Sequence, residues 1–390
     1  MRKNRFCFFI FLSISILAAK TGFAEPMDRG VLGRMDAQIN AAIAEKKLPG
    51  AVIWVEHNGD IYHKAFGDRA IEPKFEEMTR DTIFDAASLT KVVAGTPAIM
   101  LLIERGRVKL EEKVSTYLPE FKGDGKEEIT VKQLMTHVSG LQPDISTKEK
   151  WSGNETAIQM ASELKLQNRP DEKFVYSDIN FFLVGEIVAR VSGLKLNEFV
   201  AREIYEPLKM VDTGYLPLKE KILRVAPTEW TDGEMLRGVV HDPTARYMGG
   251  VAGHAGIFTT AADLARYARM ILNHGELDGV RIFKPETIKL MTSVQTPPEI
   301  SARRGLGWDI DSGYSKPRGE FPLGSFGHTG FTGNAFWIDP FSKTFWILLS
   351  NRVHPDGKGN VLELYKSLGV VAAEAVTDFD FNFVPDALPP

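Results

Sequence analysis

With 390 residues, 44% of them hydrophobic and 10% aromatic, the chain is long enough to bury a large core, which argues against intrinsic disorder and predicts one large domain or two closely joined ones. Charged residues make up 25% and the formal net charge is -4, so no basic face for nucleic acid is expected. The partner class this favours is a small molecule or a peptide.

The first 24 residues read as an export signal. Arg2, Lys3 and Arg5 precede an apolar run from Cys7 to Ala19, and Gly22-Phe23-Ala24 offers small residues at the two positions a signal peptidase inspects. Cleavage after Ala24 and a periplasmic or extracellular location are expected. An uncleaved anchor is disfavoured, because the run falls short of the roughly 20 residues of a spanning helix and Lys20 ends it. Cys7, the one cysteine, lies in the removed segment, so disulfides and cysteine catalysis are excluded from the mature chain.

From Asp28 to Lys47, apolar residues recur at helical spacing (Val31, Met35, Ile39, Ile43) and Leu48-Pro49-Gly50 ends the pattern. Two alternating runs then flank Asn58-Gly59, a hairpin signal because both turn positions must tolerate positive φ. The segment from Phe84 to Gly106 opens with Ser88-Leu89-Thr90-Lys91 and continues as a mostly apolar helix. The region 127–252 is rich in helix signals. Thr130 and Gln133 suit a capping box, Asn154 suits a cap for the segment to Leu164, and Asp178 suits a cap for a helix stopping at Gly193. Strand signals return between Phe326 and Arg352, with a turn around Pro340, and a closing helix is expected from about Val361 to Ala375.

These elements predict an α+β fold. The early hairpin and the late strands share one antiparallel sheet, with the terminal helices on one face and an all-helical insertion on the other. The expected division is a sheet domain of 25–126 and 253–390 and a helical domain of 127–252.

Residues three apart on a helix share a face, so Ser88 and Lys91 form a candidate nucleophile and base. Burial disfavours an ammonium, which predicts a Lys91 neutral enough to accept the serine proton. The helix N-terminus offers N–H groups to an oxyanion. Ser-x-x-Lys alone is weak evidence, since it arises about once by chance in such a chain. A second copy, Ser192-Gly193-Leu194-Lys195, straddles a helix-ending glycine and serves as an internal control. Ser88 is supported by two further groups. Tyr176 is a candidate proton relay to the leaving group. Asp178, two residues on, is either a cap or a partner for Lys91 or a substrate amide. His328-Thr329-Gly330 opens the late hairpin, where the glycine permits close approach of a substrate backbone and the N–H of Phe331 is a candidate oxyanion donor.

At these residues the sequence resembles the serine β-lactamase and penicillin-binding protein superfamily, in its class C-like branch with D-aminopeptidases, esterases and cell-wall peptide hydrolases. SLTK, LMTHVSGL (134–141), YSDINFFLVGEIV, YEPLKM (205–210), GHAGIFTTAADL, GLGW (305–308) and FGHTGFTG carry the resemblance over nearly all of the mature chain. It implies a serine acyl-enzyme in a cleft between sheet and helical region, with Ser88 as nucleophile, Lys91 as base, Tyr176 as acid/base and His328-Thr329-Gly330 as the substrate-side strand. Two departures stand out. Asp178 replaces the asparagine of class C enzymes and cannot donate while ionised. His328 replaces their lysine, so a permanent cation beside a bound carboxylate is expected to be lost, weakening the case for efficient β-lactam hydrolysis. If His328 reads a carboxylate as imidazolium, activity falls as pH rises through its pKa.

No His-Glu-x-x-His or cysteine ligand set suggests zinc, no Gly-x-Ser-x-Gly elbow is present, and no Walker motif is present, so no metal or cofactor is expected. His137 reads as a packed structural residue, whereas His254, within GGVAGHAG, is a candidate for lining the cleft. The leading expectation is amide hydrolysis in cell-wall or D-alanyl peptides. The alternatives are a carboxylesterase on the same scaffold, and a weak β-lactamase or a penicillin-sensing module without turnover.

Overall fold

The computed structural model describes residues 26–389; the expected export signal lies outside them. The first helix, α1 (Arg29–Ala44), is capped by Asp28, whose carboxylate accepts from the N–H groups of Gly30 and Val31. Strands β1 (Gly50–His57) and β2 (Asp60–Ala70) follow, joined by Asn58 and Gly59 at φ 49° and 83°, as the sequence predicts. β3 (Glu76–Glu77) completes this edge. The late strands are β4 (Arg303–Arg304), β5 (Asp309–Asp311), β6 (Phe326–Gly330), β7 (Asn334–Asp339) and β8 (Thr344–Ser350). The antiparallel order is β4-β5-β6-β7-β8-β1-β2-β3, so the early hairpin does join the late strands.

β1 is buried at every position because both faces of the sheet are covered. Ala51, Ile53 and Val55 pack with Trp337, Trp346 and Leu348 beneath the two terminal helices, α1 and the closing helix Leu362–Glu374. Val52 and Trp54 point the other way, with Phe336, Ile347 and Leu349, toward the interior helices. The alternation follows from the two-residue period of a strand.

Among those interior helices, α2 (Thr96–Glu104) is buried from Thr96 to Leu102, and α3 (Asp178–Ser192) packs across it. Gly253 fits between them, since a Cβ there would lie 2.0 Å from the Phe181 carbonyl oxygen. Glycine at this position thus permits close packing between parts of the protein itself. The Thr130–Gln133 capping box forms as expected. Two other caps are displaced by one residue: Gly153 precedes a helix beginning at Asn154, and Ser177 precedes one beginning at Asp178. The region 127–252 also contributes short strands, one of which, Gly214–Tyr215, pairs with Ile257–Thr259. Among the described residues, no helix is long and apolar enough to cross a membrane.

Candidate active site

Phe84–Asp85 pairs with Ile257–Thr259 and feeds directly into the turn that carries Ser88. Ala87, just before Ser88, sits at φ 46°, an uncommon conformation for a residue with a Cβ. Asp85 over-determines it. One carboxylate oxygen accepts from Ala87 N at 2.9 Å and the other from His241 N at 2.7 Å. The Asp85 carbonyl receives Thr332 Oγ1 at 2.8 Å and Asn334 Nδ2 at 2.9 Å, tying the turn to the β6–β7 connection. Gly330 is glycine because a Cβ would lie 2.6 Å from the Ala86 carbonyl oxygen. The strand therefore approaches the turn that carries Ser88, where a substrate backbone was expected.

Lys91 opens a π-helical segment, Lys91–Gly95, that leads into α2 at Thr96-Pro97. Pro97 supplies no N–H, and two buried tyrosines, Tyr267 and Tyr205, donate to the carbonyls of Val92 (2.9 Å) and Val93 (3.2 Å). Lys91 is fully buried. Its Nζ lies 2.9 Å from Ser88 Oγ, 3.3 Å from the His254 carbonyl oxygen and 2.6 Å from Asp178 Oδ1. The Asp178 approach is off the line of a good hydrogen bond, so its attraction is mainly Coulombic. Tyr176 stands beside both groups: Lys91 Nζ sits 4.9 Å over its ring, and Lys91 and Ser88 both act on its hydroxyl.

Burial alone lowers the Lys91 pKa, but Asp178 and the Tyr176 hydroxyl outweigh it and raise the value above that of an ordinary lysine. The expectation of a neutral Lys91 is overturned: the resting amine is an ammonium held by Asp178. Tyr176 is a neutral phenol, since burial raises its pKa more than Lys91 lowers it. The cap reading of Asp178 also fails, because Ser177 occupies that position and Asp178 faces Lys91.

His328 lies on β6 with Nδ1 2.7 Å from the Thr329 carbonyl oxygen. A carbonyl only accepts, so Nδ1 carries the proton and the buried Nε2 is a bare acceptor without a partner. Burial, then Arg304, then Lys91 push its pKa well below the ordinary histidine value. His328 is thus a neutral imidazole, in line with the loss of a permanent cation at this position, and the condition for a fall in activity through its titration is not met. Arg304, fully buried and unremarked in the sequence reading, lines the same cavity; its Nη2 donates to the Gly307 carbonyl at 3.0 Å, its Nη1 lies 3.2 Å from Asp309, and its Nε has no partner.

The cavity holds about 330 Å³, within the range of a small-molecule site, and its wall is mostly apolar. Ser88, Tyr176, Asp178, His328, Thr329 and Phe331 all line it, so the dispersed sequence candidates converge. His254 does not. Its imidazole is buried behind the wall, paired with Asp242 at 2.9 Å, while Asp242 and Ala255 face the cavity. The control motif behaves as a helix end: Gly193 has φ 78°, Ser192 Oγ accepts from Leu194 N at 3.1 Å, and Lys195 is exposed. Among the described residues no His/Cys/Asp/Glu group suits a metal ion.

The sequence matches the Beta-lactamase family model over residues 35–369. It is 31% identical to the N-acetylmuramyl-L-alanine amidase of Bacillus subtilis (strain 168), over 93% of this chain and 95% of that one. It is 30% identical, over 83% and 82% of the two chains, to an Escherichia coli (strain K12) protein described as "Putative D-alanyl-D-alanine carboxypeptidase". A class C β-lactamase structure superposes with a TM-score of 0.72 at 20% identity, covering 90% of this chain and 98% of that one, a likeness of fold. The chain belongs to the Beta-lactamase family, as a serine hydrolase of the class C β-lactamase fold.

Proposed function

We propose that Ser88 forms an acyl-enzyme with amide substrates, and that these are short cell-wall-derived or D-alanyl peptides met outside the cytoplasm. The observation that carries the reading is the contact of Ser88 Oγ with Lys91 Nζ at 2.9 Å, completed by the Tyr176 hydroxyl, at the floor of a cavity. Ser88 Oγ attacks the carbonyl carbon and its proton passes to Lys91 once that amine is deprotonated. The N–H groups of Ser88 and Phe331 receive the oxyanion, and Tyr176 gives a proton to the departing amine. Water then releases the acyl group. Arg304 supports a carboxylate on the leaving half, because it lines the same cavity as Tyr176 and His328 and keeps an unpartnered Nε. The amidase and carboxypeptidase relatives act on bonds of this class by their names.

A carboxylesterase is the second reading, favoured by the mostly apolar cavity wall. Rates on D-alanyl-D-alanine peptides, N-acetylmuramyl-L-alanine, short nitrophenyl esters and a cephalosporin separate the two. Amide turnover that exceeds cephalosporin turnover supports the proposal, and turnover of esters alone replaces it with the second reading.

A further inference from the structure

Three carboxylate–cation pairs meet at the cavity: Asp178 with Lys91 (2.6 Å), Asp309 with Arg304 (3.2 Å) and Asp242 with His254 (2.9 Å). The reaction proposed above uses the first, and the Arg304 pair suits the leaving half. The third has no assignment there. Its members are arranged unequally, with His254 buried behind the wall and Asp242 forming part of it.

Asp242 Oδ1 is fully engaged. It accepts from His254 Nε2 and from Ala245 N at 2.7 Å, the latter as the cap of the helix Pro243–Tyr247. Oδ2 has no protein partner, and the side chain keeps 23% exposure where it lines the cavity. A rigid carboxylate therefore turns one free oxygen toward a site whose floor there is Pro243 and Ala255. The His254 and helix contacts hold it ionised, with a pKa of about 2 despite burial. His241, whose Nε2 lies 3.2 Å from Glu229, and Phe331, stacked on His241 at 5.7 Å, form the adjoining rim. The other charges facing this end are Asp178 with Lys91, Asp144 behind Thr244, and Arg352, which sits 4.4 Å over Phe331.

The two ends are distinguishable. Tyr176 touches Tyr314 (5.2 Å) and His328 (5.9 Å), and Arg304 and Tyr314 both lie against Phe174, so the leaving half occupies that side. The acyl half then lies against Asp242. We infer that Asp242 is a specificity site for a protonated amine on the acyl half of the substrate, so that unblocked aminoacyl substrates are preferred over N-acylated ones. This rests on the acyl-transfer reading for the direction of the substrate, but its test does not need turnover.

Binding of D-alanyl-D-alanine and of its N-acetyl derivative to Ser88→Ala protein is measured by calorimetry. A charge-assisted hydrogen bond predicts that the free amine binds about ten-fold tighter or more. Ser88→Ala/Asp242→Asn, with folding checked by its melting temperature, should lose that preference. Independently of any Asp242 variant, raising the pH past about 8, where a peptide α-amine loses its proton, should abolish the preference while the N-acetyl compound binds as before. Equal or tighter binding of the N-acetyl compound, binding of neither, or a preference that survives both changes overturns the inference. Loss of Ser88 acylation with the preference intact would instead overturn the catalytic reading alone.

Discussion

His137 grips Tyr176 from three directions. Its ring stacks on the phenol at 4.5 Å, its carbonyl accepts from Val175 N at 2.9 Å, and its Nδ1 accepts from Ser177 N at 3.1 Å. Both neighbours of Tyr176 are thereby fixed, and His137 itself adopts φ 59°, a conformation that surrounding contacts must enforce. Burial, then the charges of Arg304 and Lys91, keep the imidazole neutral. His137 is thus a packed, hydrogen-bonded residue, as the sequence suggests, and one positioned to orient the proposed acid. His137→Ala should lower kcat by about ten- to a hundred-fold with little change in KM, because a mispositioned group harms the transition state more than substrate binding. A loss of melting temperature without the kcat effect would reduce His137 to packing alone.

Asp178 raises the Lys91 pKa, so in the wild type only a small fraction of Lys91 is free to accept a proton at neutral pH. Asp178→Asn removes the anion and leaves burial, which lowers that pKa. The rising limb of kcat/KM against pH should therefore move to lower pH in the variant. An unmoved limb would show that Lys91 is not the base.

Arg304→Lys keeps a charge but loses the planar fork. On substrates ending in a carboxylate, kcat/KM should fall about ten- to a hundred-fold, the value of one charge-assisted contact. Matched substrates ending in a carboxamide should be almost unaffected. Equal losses on both series would contradict a carboxylate role.

Glu76 on β3 accepts from Arg237 Nη1 (2.9 Å) and Nη2 (2.6 Å) and from Arg69 Nε (3.1 Å), joining the sheet edge to the 230s segment. The Arg237 hydrogen bonds, against the opposing effect of burial, lower its pKa to about 2. A depressed carboxylate pKa contributes stability that is full above the unfolded value of 4.5 and is lost as pH falls through about 2. Glu76→Gln should melt lower than wild type at pH 7, and the gap should close as pH falls from 4.5 toward 2. A gap independent of pH would assign the loss to geometry rather than charge.

The parts of this molecule that local pattern encodes were legible in its sequence. Asn58-Gly59 marks a turn by its own chemistry, the Thr130–Gln133 box satisfies N–H groups within one helical turn, and Ser88 and Lys91 meet because three residues make nearly a turn. The dispersed candidates Tyr176 and His328 carried enough motif identity to be found. Arg304, Asp85 and Asp242 carried none. Each acts through contacts closed over long stretches of chain, as when Asp85 binds the N–H of His241. Nothing local distinguishes a buried arginine from a surface one. The charge state of Lys91 was misjudged for the same reason, since Asp178 decides it from a distant position in the chain.

The central claim is a covalent acyl-enzyme on Ser88, and peptide mapping by mass spectrometry tests it most directly. After brief exposure to a fluorophosphonate, and separately to a penicillin quenched in acid, the added mass should lie on the peptide containing Ser88-Leu89-Thr90-Lys91 and be absent from Ser88→Ala. An adduct on another residue, or an unmodified Ser88 peptide in active enzyme after both reagents, would contradict the account.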